Sequence, residues 1–455
     1  MVDFRLKNVS VVGLGKLGAP LAALLAQRSY TVVGLDQNPS VIDSVNKGES
    51  PIVETGLQEI FKDNRSRLRA TSSYDEAVRL TDATFVVVPT PSDASGSFSN
   101  DYVLSAIESI ARALVAKNSY HLVILTSTVM PGSTGGIVKE TLERISSKTV
   151  GVDVGLCYNP EFIALGSVIR DMENPDMVLI GESDSRAGDL LESIQLNICL
   201  NQPCIHRMDF VNAEIAKISV NTYVTTKISF ANMLAGICQN IPGADVDVVT
   251  GAIGEDSRIG AKYLKGGLGY GGPCFPRDNI AFAKMADRIG APAYLAEATD
   301  QINEYQIDRI VDLVRRHAKQ DDVIGILGFS YKPGTPVVEQ SHSVKIAQRL
   351  IETGSRIAGY DPLAIRSARA ELNGSFSVSL SLSDCLEQSD LIVIATPWSE
   401  IQDIDWAAVG QAKKTGDLVV IDCWRVISRK SIQRSGIRLV HPGVGSNGNG
   451  ASAMA

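Results

Sequence analysis

The chain has 455 residues, 44% hydrophobic and 21% charged, with a net charge of −8. That length exceeds one ordinary core and predicts two or three soluble domains. The acidic balance, with no Lys/Arg block, argues against a nucleic-acid partner. No apolar run approaches a membrane span, and Met1 to Asn8 holds no apolar signal core. Seven cysteines are scattered through the chain without a CxxC pair, beside five histidines. That pattern predicts reduced thiols in a cytoplasm and no metal site.

The N-terminal third reads as an α/β unit. Val9 to Val12 is a β-branched run that leads into Gly13-Leu14-Gly15-Lys16-Leu17-Gly18. A helical segment, Ala19 to Gln27, and a second apolar run, Tyr30 to Leu35, follow and end at Asp36. Strand, G-x-G-x-x-G turn, helix, strand and acid make a dinucleotide fingerprint. The glycines let a pyrophosphate approach the helix N-terminus, and Asp36 would accept from a ribose 2′-hydroxyl. A 2′-phosphate would be repelled there, and Gln37 and Asn38 supply no cation, so NAD is predicted over NADP. Further strands read as Phe85–Val88, Leu122–Leu125, Val154–Tyr158 and Met177–Ile180, in a parallel doubly wound sheet. Pro89-Thr90-Pro91, Ser127 to Gly132 and Asn159-Pro160-Glu161-Phe162 follow three of them, where ligands of such sheets sit.

A long helical pattern spans about Met208 to Gln239, with Lys217 and Asn221 on one face. Next comes Gly266-Gly267-Leu268-Gly269-Tyr270-Gly271-Gly272-Pro273-Cys274-Phe275-Pro276-Arg277-Asp278. Five glycines bring the backbone into close quarters, and two prolines stiffen it. This reads as an ordered loop presenting Cys274 as a nucleophile. Lys217 would favour the thiolate or steady an oxyanion, and Asp278 would help activate water. Asn279 to Arg316 reads helical again. A second α/β unit begins near Asp321, with strands Val323–Gly328, one ending at Tyr360, Leu391–Ala395 and Leu418–Ile421. Its Gly325 to Gly328 stretch is no dinucleotide fingerprint, so it takes another phosphate-bearing ligand or serves as scaffold. The predicted parts are an NAD-binding domain (1–207), a central helical domain with the cysteine loop (208–317), a Rossmann-like C-terminal domain (318–440) and a flexible tail (441–455).

From about residue 8 to 430 the chain resembles the UDP-glucose/GDP-mannose dehydrogenase family. The shared motifs are GLGKLG at Gly13–Gly18, VPTP at Val88–Pro91, STVMPG at Ser127–Gly132, NPEF at Asn159–Phe162, AEIAKISVN at Ala213–Asn221, RIG at Arg258–Gly260, GYGGPCFPRD at Gly269–Asp278 and YKPGT at Tyr331–Thr335. The resemblance implies a four-electron, NAD-dependent oxidation of a nucleotide sugar at C6. It also implies two Rossmann-like domains joined by a long helix that forms a homodimer interface. By motif, Cys274 is the nucleophile. Lys217, Asn221 and Asp278 assist oxyanion and water, and Thr128 and Glu161 assist water and proton transfers. Gly13, Leu14, Gly15, Lys16, Leu17, Gly18, Asp36, Thr90, Pro91, Thr128 and Arg277 fall to the cofactor. Glu161, Phe162, Lys217, Asn221, Tyr263, Leu264, Gly269, Tyr270, Gly271, Phe275, Tyr331 and Lys332 fall to the substrate, with Arg258 expected to reach the sugar nucleotide of a partner subunit. Departures from the family pattern are Ala164 and Leu165 after NPEF, Pro273 and Arg277 around the cysteine, Glu339 and Trp424. Pro273, where members acting on N-acetylated sugars more often carry histidine, favours UDP-glucose. GDP-mannose, UDP-N-acetylhexosamines and a catalytically silent relative remain as alternatives.

Overall fold

A computed structural model describes residues 6–413, 418–428, 432 and 435–445, and the chain divides into two compact units, Met1–Ser219 and Val220–Ala455. The division falls inside the long Phe210–Gln239 helix.

The first unit is built on eight strands: β1 (Asn8–Val12), β2 (Thr31–Leu35), β3 (Leu68–Thr71), β4 (Ala83–Val86), β5 (His121–Leu125), β6 (Val154–Tyr158), β7 (Met177–Glu182) and β8 (Cys204–Met208). Their order is β3-β2-β1-β4-β5-β6-β7-β8. β1 pairs in parallel with both β2 and β4, so the strand order reverses beside β1, the place where such sheets take ligands. Fully buried strands explain the apolar runs, and the Gly18–Gln27 helix is buried from Gly18 to Ala26 because it packs against the sheet and its neighbours.

Three features depart from the sequence reading. β4 begins two residues before the predicted Phe85 because Thr84 is a buried strand residue, bonded to Ser10 (2.7 Å) and His121 (2.8 Å). The edge strands β3 and β8 escape the apolar criterion because they are only half covered. The sheet is also not wholly parallel: β7 meets β6 antiparallel, at Cys157↔Glu182 and Tyr158↔Gly181. The connection between them carries only the six-residue Val168–Glu173 helix, so no full crossover is made.

The second unit contains β9 (Val323–Leu327), β10 (Arg356–Tyr360), β11 (Ser377–Val378), β12 (Leu391–Ile394), β13 (Val419–Asp422) and β14 (Arg438–Val440). All are parallel in the order β11-β10-β9-β12-β13-β14. The predicted Asn279–Arg316 helical stretch is two helices, Phe275–Arg288 and Tyr294–His317. The second of these buries Ile307, Ile310, Val311 and Val314 in the same core as Ile324, Ile326, Leu391 and Val393. The central helices therefore share the C-terminal sheet's core.

The tail predicted as loosely held from 441 is anchored over its first residues. Gly443 O accepts from Val246 N at 3.0 Å, Gly445 N donates to Ala244 O at 2.8 Å, and Arg425 Nη2 donates to Pro442 O at 2.7 Å. Residues 446–455 lie outside the described residues.

Candidate active site

The turn after β1 has the geometry a dinucleotide needs. Gly13 sits at φ +88°, and a Cβ there would fall 2.2 Å from Val87 O. A Cβ on Gly18 would fall 1.8 Å from Gly13 O, so helix and strand touch backbone to backbone. A Cβ on Gly15 would meet nothing within 4 Å, which leaves that side of the turn open to a ligand. Leu14 is buried, Lys16 is exposed and Leu17 is half-buried. The Asp36 carboxylate accepts from Leu14 N (2.8 Å) and Asn38 N (2.9 Å), yet remains half-exposed with acceptor capacity left for a diol. The residues present fit NAD: two glycines close the turn, one leaves room, and an acid stands at the ribose position.

Three loops at the strand ends build the rest of this unit's site. Beyond β4, Thr90 is buried and Pro91 exposed. Beyond β5, Ser127 Oγ accepts from Val88 N (2.9 Å) and donates to Val88 O (2.7 Å), tying two loops together beside half-buried Thr128. Glu214 is fully buried on the long helix and accepts from Gly132 N (2.6 Å) and Thr134 N (2.8 Å). It fixes the STVMPG loop. Burial raises its carboxyl above the ordinary value, against the pull of those hydrogen bonds. Beyond β6, Lys217 Nζ donates to Glu161 O at 2.7 Å and stands 4.4 Å from the centre of the Phe162 ring. Glu161 keeps some solvent access, but burial pushes its carboxyl up to about 7, with the Lys217 charge acting the other way. Lys217, Glu161 and Phe162 are thus brought together as one cluster. The ammonium cation lies next to a carboxyl poised to exchange a proton near neutral pH.

In the second unit the glycine loop is an ordered support. A Cβ on Gly269 would fall 2.1 Å from Asn303 Oδ1 and 2.2 Å from His342 Cε1. One on Gly271 would fall 2.4 Å from Gln340 O, and one on Gly272 would fall 2.6 Å from the Tyr331 ring. The close neighbours of Gly269 and Gly271 are thus the protein's own groups. Asn303 binds the loop twice, accepting from Tyr270 N (2.8 Å) and donating to Tyr270 O (3.0 Å). His342 Nδ1 accepts from Gly269 N at 3.2 Å. Burial, reinforced by the Lys345 charge, pushes that imidazole down to about 3, so it stays neutral. Tyr270 is buried and donates its hydroxyl to Asp300.

This support holds Cys274 exposed, at the N-cap of the 14-residue Phe275–Arg288 helix, where the helix dipole favours negative charge. One turn on, Asp278 is buried, accepts from Asn221 Nδ2 at 2.7 Å and lies 3.4 Å from Arg277 Nη2. Burial raises the Tyr331 hydroxyl, and negative charge on Cys274 raises it further. Phe275 meets Tyr263 and Tyr270 edge-on, with ring centres 6.3 and 6.5 Å away. Tyr263 is itself exposed, at a left-handed φ of 63°, beside buried Leu264. Lys332 Nζ stands 5.9 Å from the Tyr331 ring centre. Arg258 is 86% exposed and is held by Asp256 through two hydrogen bonds, at 3.0 and 2.6 Å.

The departures have local explanations. Trp424 donates Nε1 to Ala395 O, and Arg425 holds Asp247 and Gly266 O, bracing the loop from below. Glu339 is exposed and uses its backbone carbonyl to accept from Gly272 N. Leu165 packs against the first unit's core. The sequence reading missed Asn303, His342, Asp300, Glu214 and Asp361. Of these, Glu214 alone lay inside a quoted motif. Asp361, at the end of β10, stands where Asp36 stands at the end of β2. It is 2% exposed and accepts from Phe329, Ser330, Leu363 and Ala364 backbone N–H groups and from Trp398 Nε1. Among the described residues no group of three or more His, Cys, Asp or Glu is placed to hold a metal, and no helix is long and apolar enough to cross a membrane.

Three models of the UDP-glucose/GDP-mannose dehydrogenase family match the chain. They are its NAD binding domain at residues 7–198, its central domain at 211–305 and its UDP binding domain at 325–429. The UDP-glucose 6-dehydrogenase of Haloferax volcanii is 34% identical over 93% of this chain and 98% of its own. A GDP-mannose 6-dehydrogenase of Pseudomonas syringae is 34% identical over 78% of this chain and 80% of its own. The solved UDP-glucose dehydrogenase of Pyrobaculum islandicum superposes with a TM-score of 0.87 at 32% identity, covering 98% of this chain and 99% of that one.

Proposed function

The chain belongs to the UDP-glucose/GDP-mannose dehydrogenase family, and on that premise we propose that it oxidises UDP-glucose at C6 to the uronic acid through a covalent bond to Cys274. The observation that carries this reading is the mounting of that thiol. Cys274 is exposed at a helix N-cap, on a loop that tolerates no added carbon at Gly269, Gly271 or Gly272, one turn before a buried Asp278 already bonded to Asn221. A structural cysteine needs no such support.

Gly13, Gly15, Gly18 and Asp36 would hold NAD, with Thr90, Pro91, Thr128 and Arg277 assigned to it by motif, and NAD would supply the hydride acceptor for both oxidation stages. The Cys274 thiolate adds to the C6 aldehyde and later holds the sugar as a thioester, which splits one difficult oxidation into two manageable ones. Lys217 and Asn221 stabilise the oxyanion that forms on the sugar. Glu161 accepts a proton, with Thr128 orienting water. Asp278 polarises the water that cleaves the thioester and returns Cys274 to the free thiol. Phe162, Tyr263, Leu264, Tyr270, Phe275, Tyr331 and Lys332 line the sugar nucleotide, and Arg258 reaches that of a second copy. The enzyme works in the cytoplasm and as a homodimer, and the homodimer is supported by exposed Tyr223, Phe230, Met233 and Ile237 along the long helix.

Counting NADH per sugar tests the proposal. The parent enzyme should give two NADH per UDP-glucose and lead a panel that includes GDP-mannose and UDP-N-acetylglucosamine. Cys274→Ser should lose the uronic acid altogether. A serine variant that still delivers two NADH per sugar would overturn the covalent mechanism, and faster turnover of GDP-mannose would overturn the substrate.

A further inference from the structure

A residue other than glycine at positive φ marks a place where its surroundings dictate the backbone. Arg425 is one, at φ 55°, with its side chain 10% exposed. Its guanidinium is committed in two directions. Nη1 donates to Asp247 Oδ1 at 2.9 Å and to Gly266 O at 3.3 Å, where the glycine loop begins. Nη2 donates to Pro442 O at 2.7 Å, in the C-terminal segment. Its Nε is buried with no acceptor among the described residues, so these bonds hold the whole cation. One planar group thus joins residues 441–445 to the loop that presents Cys274. A second contact joins the same two segments. A Cβ on Gly266 would fall 3.1 Å from Ala235 Cβ and 3.2 Å from Val246 Cγ1, and one on Gly443 would fall 2.9 and 2.7 Å from those same atoms. Loop and C-terminal segment therefore both press on one fully buried Ala235–Val246 pair. The segment is fixed there by its backbone: Val246 N donates to Gly443 O, Gly445 N donates to Ala244 O, and a Cβ on Gly445 would fall 1.8 Å from Ile241 O. At its start the His441 ring stands 3.7 Å from the buried Asp422 carboxylate.

We propose that His441–Gly445 is a brace that sets the position of the cysteine loop, with Arg425 as the positioning residue through which it acts. The inference rests on the reading of Cys274 as the nucleophile. Arg425 takes no part in the chemistry. With Pro442 O in place, the guanidinium is pinned from one side and reaches Gly266 O on the other. When the brace lifts, one of its acceptors is lost and the group is free to turn away from the loop. The Ala235–Val246 pair loses its outer neighbour at the same moment. The loop start is then held only by Asn232, which accepts from Gly267 N at 2.9 Å and donates to Leu268 O at 3.2 Å, and by Trp424, whose ring would lie 3.3 Å from a Cβ on Gly267. Attack by sulfur on a carbonyl carbon needs near-contact geometry, and a misplacement of about 1 Å costs up to about 100-fold in rate. The brace therefore acts on turnover and leaves the NAD cradle, in the first unit, untouched.

Gly443→Ala and Gly445→Ala, made in the full chain, lift the brace without shortening it. Hydrogen exchange at Val246 N–H, whose acceptor is Gly443 O, reports the lifting and should be faster in both. Each variant should lose about tenfold in kcat with NAD affinity unchanged, and alkylation of Cys274 by iodoacetamide, read by peptide mass without substrate, should be about threefold faster. Arg425→Gln should match them, and Arg425→Lys, which keeps a cation beside Asp247, should recover part of the loss. Because brace and Arg425 act in series, Gly445→Ala combined with Arg425→Gln should lose no more kcat than Arg425→Gln alone. Losses that multiply in the double variant would overturn the proposal. So would faster exchange at Val246 with the parent's kcat and alkylation rate. Unchanged exchange in both glycine variants would overturn the docking itself. The alkylation response is read without turnover, so it separates this proposal from the catalytic one. A uronic acid still made by Cys274→Ser would sink the nucleophile while the response to the brace remained.

Discussion

One methyl group, added at two positions three residues apart, should have opposite effects. At Gly18 the new carbon would lie 1.8 Å from Gly13 O, a backbone atom that cannot rotate away. Helix and strand must separate by more than an ångström to reach ordinary contact. Overpacking of this kind costs about 1–3 kcal/mol, and backbone against backbone puts it at the upper end. For a unit of this size each kcal/mol moves the melting point by about 2–4 °C, so Gly18→Ala should melt about 6–12 °C lower. At Gly15 the same carbon enters open space, so Gly15→Ala should keep its stability within about 0.5 kcal/mol. If that space is where the pyrophosphate approaches, NAD affinity should fall at least tenfold, or about 1.4 kcal/mol. Scanning calorimetry of the nucleotide-free protein and NAD titration calorimetry measure the two effects separately. A Gly15→Ala protein that binds NAD as tightly as the parent would refute the cradle assignment.

Two further predictions follow from titrating groups. Glu161 titrates near 7 and is proposed to act ionised, so kcat should rise with pH through about 7. Glu161→Gln should be slowed about 100-fold and lose that limb; a variant that keeps it would reassign the titration. The same raised carboxyl binds more protons folded than unfolded between about 4.5 and 7, so its contribution to stability falls as pH rises across that window. His342 has the opposite sign. Its folded value of about 3 lies below its ordinary 6.5, so stability is full above 6.5 and falls as pH drops toward 3. At pH 5.5 the loss should be about 1.4 kcal/mol, read as a lower denaturant midpoint together with faster alkylation of Cys274. An acid limb that persists unchanged in His342→Asn would sink this account.

The parts of this protein that were legible in the sequence are those where a local rule sets a local structure. Gly13 to Gly18 with Asp36 gave the first strand, turn, helix and acid because sterics at each glycine are settled by near neighbours. Cys274 stood out because glycines and prolines crowd around it. The antiparallel β7 was not legible, since strand direction depends on how a connector packs, not on the composition of Met177 to Ile180. Asn303 and His342 were missed for a related reason. Each lies more than thirty residues from its partner in the glycine loop and looks like an ordinary polar residue at the start or middle of a helix. Asn221 was placed on the long helix by its spacing from Lys217, while its bond to Asp278 needed the fold.

The two aspartates that end β2 and β10 show what a repeated fold can withhold. Asp361 has spent its acceptors on five donors of its own protein, whereas Asp36 has kept some in reserve. The C-terminal sheet therefore retains the outline of a nucleotide fold with its sugar-diol acceptor plugged. A chain with two such sheets could otherwise sequester the redox carrier at the wrong end. With Asp361 taken up by its own protein, the second sheet lacks the open acceptor by which it could compete for that carrier.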